Sequence, residues 1–367
     1  METLGLAFQN QFNNAFYGKK VLVTGHTGFK GSWLSLWLYN LGAEVIGYAL
    51  PPLSSSDNYV LCGLEDKITD IHGDICDKEH LQSIFEIYHP EIVFHLAAQP
   101  IVRLSYELPV ETFETNIMGT INILENIRVS DTVLTGIIIT SDKCYENKEQ
   151  IWGYKENDTL GGFDPYSASK GCAELVTAAY RNSFFTSDRN SMGSKAIASA
   201  RAGNVIGGGD WSSNRIIPDC IRALKSGNAI EVRNPNAVRP WQFVLEPLYG
   251  YLLLASKMLE DGGKYSGAWN FGPNYDSIVP VKDIVTSIIN LWGAGEWNDL
   301  SDVTTLHEAS LLNLDCTKAK AFLGWKPRLD LQDTLKDTLQ WYKVFESADV
   351  NDLCVKQIES YCARCMV

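Results

Sequence analysis

Before residue 204 the chain alternates six times between a short apolar, β-branched run and a longer stretch of helical periodicity. The runs are "KVLVT" (20–24), "AEVIGYAL" (43–50), "ITDIHGDI" (68–75), "EIVFHLAA" (91–98), "LTGIIIT" (134–140) and "KAIASAR" (195–201), and residues 32–41 read as the first helix. Strands separated by helix-length segments cannot pair as hairpins, so they lie parallel in one sheet with helices on its faces. That constraint selects an α/β fold, a doubly wound, Rossmann-like parallel sheet. Beyond Asn204 the rhythm loosens into loops rich in Gly, Pro, Trp and Arg, broken by a helical "YGYLLLASKMLE", a short strand near 268–272 and a helical stretch over 315–342. The expected organisation is a sheet domain over 1–203, completed by the late strand, and a smaller interleaved substrate-binding domain over 204–367.

The charge balance narrows the partners. A net charge of -13 with no Lys/Arg run argues against nucleic acid and against an anionic membrane surface. A small molecule is the expected partner, and an anionic one has to be held by individually placed Arg and Lys side chains. The nine cysteines follow no repeated spacing, so no disulfide framework is expected and a reducing cytoplasm fits. Cys362 and Cys365 of "CARC" lack a second pair to complete a metal site, and no metal is expected. No basic-then-apolar leader opens the sequence, and no apolar run approaches the roughly 18 residues of a membrane span.

Within "VLVTGHTGFKGSWLSLWL" (21–38), Gly25, Gly28 and Gly31 are spaced three apart between the first strand and its helix. The first permits a tight turn, the second lets backbone approach a pyrophosphate, and the third allows close packing of helix on strand. The acidic residue that grips an adenosine ribose at the end of a second strand is missing, because "VIGYALPP" offers only Tyr48 and main chain. The loop therefore leaves NAD and NADP open. Lys30 can serve a 2'-phosphate or stand in solvent, and His26 can lie over the pyrophosphate or be solvated. Asp74 in "GDICD" can accept from an adenine amino group or simply hold a turn.

A second group lies in "DPYSASKG", where Tyr166 and Lys170 stand four apart. On a helix they share a face, so the ammonium can lower the phenol pKa and hold a cofactor ribose. The fifth strand ends in "ITSDKCY", delivering Ser141, Asp142 and Lys143 to the carboxyl edge of the sheet, where ligands of such folds bind.

With "HLAAQ" (95–99) and "TNIMGT" (115–120), these strings resemble the extended short-chain dehydrogenases/reductases, and specifically the nucleotide-sugar 4,6-dehydratases, over nearly the whole chain. "GHTGFKGSWL", "DKCYEN" and "RAGNVIGGGDW" are most similar to the branch that acts on CDP-glucose. The resemblance implies NAD, held by Gly25, His26, Thr27, Gly28, Phe29, Lys30, Gly31, Asp74, Ile75, Leu96, Ala97, Ala98, Gln99, Tyr166 and Lys170, with Asn116 as a structural brace. It implies a redox-neutral lyase reaction. Tyr166 takes the sugar 4-hydroxyl proton beside Ser141 while hydride leaves C4. A base then removes the C5 proton, Asp142 as a neutral acid protonates the departing 6-hydroxyl, and hydride returns to C6. Where dTDP-glucose relatives carry a Glu after the catalytic Asp, this chain has Lys143, which is either the C5 base or a charge partner of Asp142.

Asn204, Arg215 and Arg239 match positions that hold the nucleotide diphosphate, and Trp211 and Trp241 either belong to the core or frame the pocket. A 4-epimerase would share the fold and the Tyr/Lys pair without needing the Asp-Lys pair, and a non-catalytic NAD or sugar module would need no activated phenol. The helical patterns 109–127 and 167–185 resemble the pair that forms a four-helix interface in this family, which implies a homodimer or a dimer of dimers, unless each packs only against its own sheet.

Overall fold

Seven strands form one fully parallel sheet in the computed structural model, which describes residues 8, 10–185, 195–301 and 310–365. They are β1 (Lys20–Thr24), β2 (Glu44–Ala49), β3 (Thr69–His72), β4 (Ile92–His95), β5 (Thr135–Ile139), β6 (Ala196–Ala202) and β7 (Gly267–Phe271). The order across the sheet is β7-β6-β5-β4-β1-β2-β3. All six strands read from the sequence are present, and the late strand completes the edge beside β6. The chain reverses direction across the sheet between β1 and β4, which opens a crevice at their carboxyl ends. Register sets that rim level, with Thr24 opposite both Tyr48 and His95.

The central strands are apolar because both their faces are covered; every residue of β4 and β5 is buried. Helices α1 (Phe29–Asn40), α2 (Lys78–Tyr88), α3 (Gly119–Val129) and α4 (Pro165–Phe184) do the covering. Strand β4 stops at His95, short of the "LAA" that continues its apolar run. Leu96 and Ala97 turn away there to lie against Gly25, where a Cβ would sit 2.8 Å from the Ala97 nitrogen.

Past β6 the chain builds a second layer from α5 (Ile216–Lys225) and three two-stranded ladders. It returns to the sheet through α6 (Leu245–Glu260) and β7, then leaves again through α7 (Val281–Trp292) and α8 (Leu331–Val344). The expected continuous helix over 315–342 is broken. Gly324 takes a left-handed φ of 69°, Pro327 follows it, and α8 restarts from Asp330, whose side chain caps it. The last helix, α9 (Val350–Cys365), folds back on α1, with the rings of Tyr361 and Trp37 6.1 Å apart. Glu246 clamps it by accepting from Tyr361 Oη at 2.6 Å and from the amides of Arg328 and Leu329 at 2.7 Å each. All nine cysteines are free thiols. Among the described residues no helix is long and apolar enough to cross a membrane.

One buried ion pair ties the layers to the crevice. Glu174 of α4 accepts from Thr140 Oγ1 (2.5 Å), Ser199 Oγ (2.6 Å) and the Arg201 guanidinium (2.7 Å). Arg201 also donates to Tyr145 Oη at 2.6 Å, and Tyr145 donates to Asn270 Oδ1 at 2.8 Å. Strands β5, β6 and β7 and helix α4 thus meet on two charges whose side chains are each 3% exposed. Removing one charge strands the other in the core, so Glu174→Leu or Arg201→Met alone is expected to cost ~3–5 kcal/mol. The double variant should cost clearly less than the sum of the two. Urea denaturation of the four proteins checks this, and an additive cycle contradicts it.

Candidate active site

The loop from β1 to α1 owes its path to its glycines. Gly25 has a φ of 74°, and a Cβ on Gly31 would lie 2.0 Å from the Gly25 carbonyl oxygen. Helix α1 starts at a Gly28 cap with no side-chain hydrogen bond, and its first turn has no acidic residue. Its leading amides are therefore left for an anion, which suits a cofactor pyrophosphate. Thr27 is spent on the fold, its hydroxyl donating to the Leu50 carbonyl at 2.9 Å.

His26 is not solvated. Its ring is fully buried and occupies the space a side chain at Gly47 would need; a Cβ there would come within 2.5 Å of it. Its Nε2 is 2.6 Å from Asp70 Oδ1 on β3. Burial lowers the imidazole pKa and so favours the neutral ring, outweighing Asp70, which pulls it up. His72 completes a cluster whose donor atoms lie within 4.8 Å of one another, with the Asp70 carboxylate shared between the two imidazoles.

The crevice opens into a cavity of about 320 Å³. Phe29, Lys30, Leu96, Ala98, Ser141, Asp142, Lys143, Tyr166, Lys170, Asn204, Arg215 and Arg239 all line it. So does Trp241, although it is otherwise buried, whereas the half-buried Trp211 packs onto the core rings of Trp341, Tyr342 and Phe345. Seven Lys or Arg face the cavity against four Asp or Glu, reversing the sign of the whole chain. Arg103 and Arg233 are among the seven and were not singled out from the sequence, where nothing distinguishes them from surface arginines.

Other expected cofactor contacts lie elsewhere. Ile75 is buried under Gly119. The Gln99 side chain is turned into its own loop, bonding Ile101 and Thr112. Asp74 holds its turn by accepting from the Cys76 amide at 2.8 Å. Asn116 braces the Leu96–Gln99 segment, with its side chain on both main-chain groups of Gln99 and 2.8 Å from Ser169 Oγ of α4.

At the centre, Ser141 Oγ donates to Asp142 Oδ1 at 2.9 Å and accepts from the Lys143 amide at 3.2 Å. The other Asp142 oxygen, Oδ2, is buried and has no partner among the described residues. Burial pushes the Asp142 carboxyl pKa up, outweighing the opposing pull of the Lys143 charge and the Ser141 hydrogen bond. Lys143 and Asp142 form no ion pair within 4.0 Å, so Lys143 acts on its neighbour through charge at a distance.

Helix α4 begins at an Asp164 cap, which accepts from the Ser167 amide and hydroxyl. That start presents Tyr166 and Lys170 on one face. Burial raises the Tyr166 phenol to about 12, opposed by its hydrogen bond to Ser141. The cation that helps to lower it here is Arg215 rather than Lys170, which differs from the expectation drawn from their spacing. Burial lowers Lys170 to about 8, against the pull of Glu174 one turn on. Lys30 falls to about 7 through burial and the nearby Lys170 and Arg215 charges. It lines the cavity with the catalytic residues and is half-buried rather than free in solvent. Arg215 pairs with Asp210 at 2.8 Å, and Arg239 donates to the Val238 carbonyl at 2.9 Å.

The profile of the family described as GDP-mannose 4,6 dehydratase matches residues 22–266. The chain is 48% identical over 344 residues to the CDP-glucose 4,6-dehydratase of Salmonella typhimurium, covering 94% of this chain and 96% of that one. Among solved structures, the dTDP-glucose 4,6-dehydratase DesIV of Streptomyces venezuelae, with NAD and TYD bound, superposes with a TM-score of 0.75 at 22% identity, covering 88% of this chain and 97% of that one. The UDP-glucose 4-epimerase of Thermotoga maritima gives 0.75 at 23% identity, with 88% and 98% covered. A dehydratase and an epimerase thus share the fold equally well, and sequence decides the family. The chain belongs to the GDP-mannose 4,6 dehydratase family, nucleotide-sugar dehydratases of the short-chain dehydrogenase/reductase type.

Proposed function

We propose that the chain is a hydro-lyase that converts CDP-glucose to CDP-4-keto-6-deoxy-glucose and water, with NAD as a cofactor left unchanged overall. The observation that carries this reading is the buried Asp142, one oxygen unpartnered, beside Ser141 and Tyr166 in a chain 48% identical to a CDP-glucose 4,6-dehydratase. An epimerase would use the same phenol and lysine but would have no work for a protonated acid at that place.

The residues divide into two sets. When bound, NAD takes hydride from sugar C4 and returns it at C6. Gly25, Gly28, Gly31 and the amides opening α1 hold its pyrophosphate, Lys170 its ribose, and Leu96 and Ala98 cover it, while Asp74 keeps one oxygen for the adenine amino group. Tyr166 exchanges the proton of the sugar 4-hydroxyl, and Ser141 holds the same oxygen. Burial favours the protonated phenol, so the ionised form leans on Ser141 and Arg215, the two groups that stabilise it in this arrangement.

The second set performs the elimination. A ketone at C4 acidifies the C5 hydrogen. Lys143, in the cavity wall, takes that proton in its neutral amine form and returns it to C5 as hydride adds at C6. Asp142 passes its own proton from Oδ2 to the departing 6-hydroxyl. An ionised carboxylate has no proton to give, so the raised pKa of Asp142 suits this task. Asn204, Arg215 and Arg239 hold the diphosphate in the cation-rich cavity. On this reading the part of the chain before 204, with β7, binds the cofactor, and the rest of 204–367 closes over the nucleotide sugar. The nine free thiols suit a reducing cytoplasm, the proposed location.

Incubating the protein with NAD and, separately, CDP-, UDP- and dTDP-glucose tests the assignment. A 4-keto-6-deoxy product from CDP-glucose is expected. A 4-epimer, or no product, overturns it.

A homodimer or dimer of dimers is proposed on the exposed apolar side chains of the two helical segments, Val110 at 63%, Met118 at 41% and Leu175 at 58% exposure. Light scattering at micromolar concentration should give at least a dimer, and Leu175→Glu should weaken it. A wild-type monomer contradicts the proposal.

A further inference from the structure

We propose that Glu231 selects the nucleobase by accepting a hydrogen bond from the exocyclic amino group of cytosine. The inference rests on the CDP-glucose reading above and carries it from the diphosphate to the base. Glu231 lies in the short strand Ile230–Val232 on the second-layer wall of the cavity. Ile230 and Val232 are buried, at 0% and 1% exposure, while Glu231 is exposed. Side chains alternate along a strand, so Glu231 stands on the opposite face from the two that enter the core. The next residue, Arg233, bonds Asn214 at 3.0 Å, beside Arg215. This wall therefore adjoins the arginine assigned to the diphosphate, where a base attached through its ribose must lie.

An account of the cavity's four carboxylates singles out Glu231. Asp142 belongs to the chemistry. Asp210 is paired with Arg215 at 2.8 Å, and Asp219 with Arg222 at 2.5 Å and Arg233 at 3.9 Å. Glu231 has no hydrogen bond or ion pair among the described residues, although cations outnumber acids around it. An ionised carboxylate only accepts. Cytosine offers it an amino group at position 4, whereas uracil and thymine present a carbonyl oxygen there, lone pair against lone pair. One carboxylate so placed both attracts the correct base and repels the other two.

Calorimetric binding of CDP, UDP and dTDP to the NAD-loaded wild type, Glu231→Gln and Glu231→Ala tests this. The wild type should prefer CDP. Glu231→Ala should lose CDP affinity by roughly tenfold to a hundredfold. Glu231→Gln, whose amide can also donate to a carbonyl, should narrow the preference by weakening CDP and strengthening UDP and dTDP. With CDP-glucose as substrate, both variants should raise KM far more than they lower kcat. If the wild type favours CDP and both variants keep its CDP-to-UDP ratio, the inference fails while the CDP-glucose reading stands. A larger ratio in the variants also overturns it, because the carboxylate would then be accepting from N3–H of uracil. If the wild type shows no preference for CDP, the inference falls; if it also yields no 4-keto product from CDP-glucose, the functional reading falls with it.

Discussion

Glu174 is the joint on which the site depends. Its carboxylate meets Thr140, at the carboxyl end of the strand that delivers Ser141 and Asp142, and Ser199, in the middle of the neighbouring strand, and it stands on the helix that carries Tyr166 and Lys170. Fixing those parts to one another sets the angle at which the phenol faces the serine. Arg201 makes that placement tolerable in the core, because an isolated carboxylate there would protonate rather than stay charged. The same carboxylate supports the ammonium of Lys170, which burial otherwise pulls toward neutrality. Structure and electrostatics of the catalytic helix therefore share one residue.

Desolvation then sorts the groups in the cavity. It raises Asp142 toward a neutral acid and brings Lys170 and Lys30 down to about 8 and about 7. A water-filled cleft with the same residues would hold an ionised carboxylate and fully charged lysines. An entering diphosphate brings negative charge back to those lysines and favours their protonated forms, so substrate binding restores the electrostatics that burial removed. Dehydration needs this sorting more than a redox step alone does, since a proton must be held ready for the leaving oxygen.

Much of this was legible in the sequence. Every strand of the central sheet, the glycine turn and the line from Ser141 to Lys170 followed from periodicity, spacing and resemblance, because those features are local; the short ladders beyond Asn204 did not. What escaped depends on distant partners. His26 reads as a loop residue until Asp70 appears beside it, and the one clue was Gly47, a glycine inside a strand where another group comes close. Gln99 and Ile75 lie in segments that resemble cofactor contacts, yet their side chains serve the scaffold. The break before α8 was signalled by Gly324 and Pro327 and was overridden by the helical pattern on either side. Glu174, one turn past Lys170, looks like an ordinary helix-surface acid until Arg201 arrives from another strand.

The central claim is that the residues moving the 4-hydroxyl proton and those eliminating water are separate sets. A single turnover of NAD-loaded Asp142→Asn with CDP-glucose in heavy water tests it most directly, following the near-ultraviolet absorbance of reduced cofactor, hydrogen exchange at C5 and product together. Tyr166, Ser141 and Lys170 are intact in this variant, so the absorbance should rise and persist. Exchange at C5 should continue through Lys143, while 4-keto-6-deoxy product falls by roughly a hundredfold or more for want of the acid. Product at the wild-type rate, or no absorbance rise in a folded variant, would contradict the separation.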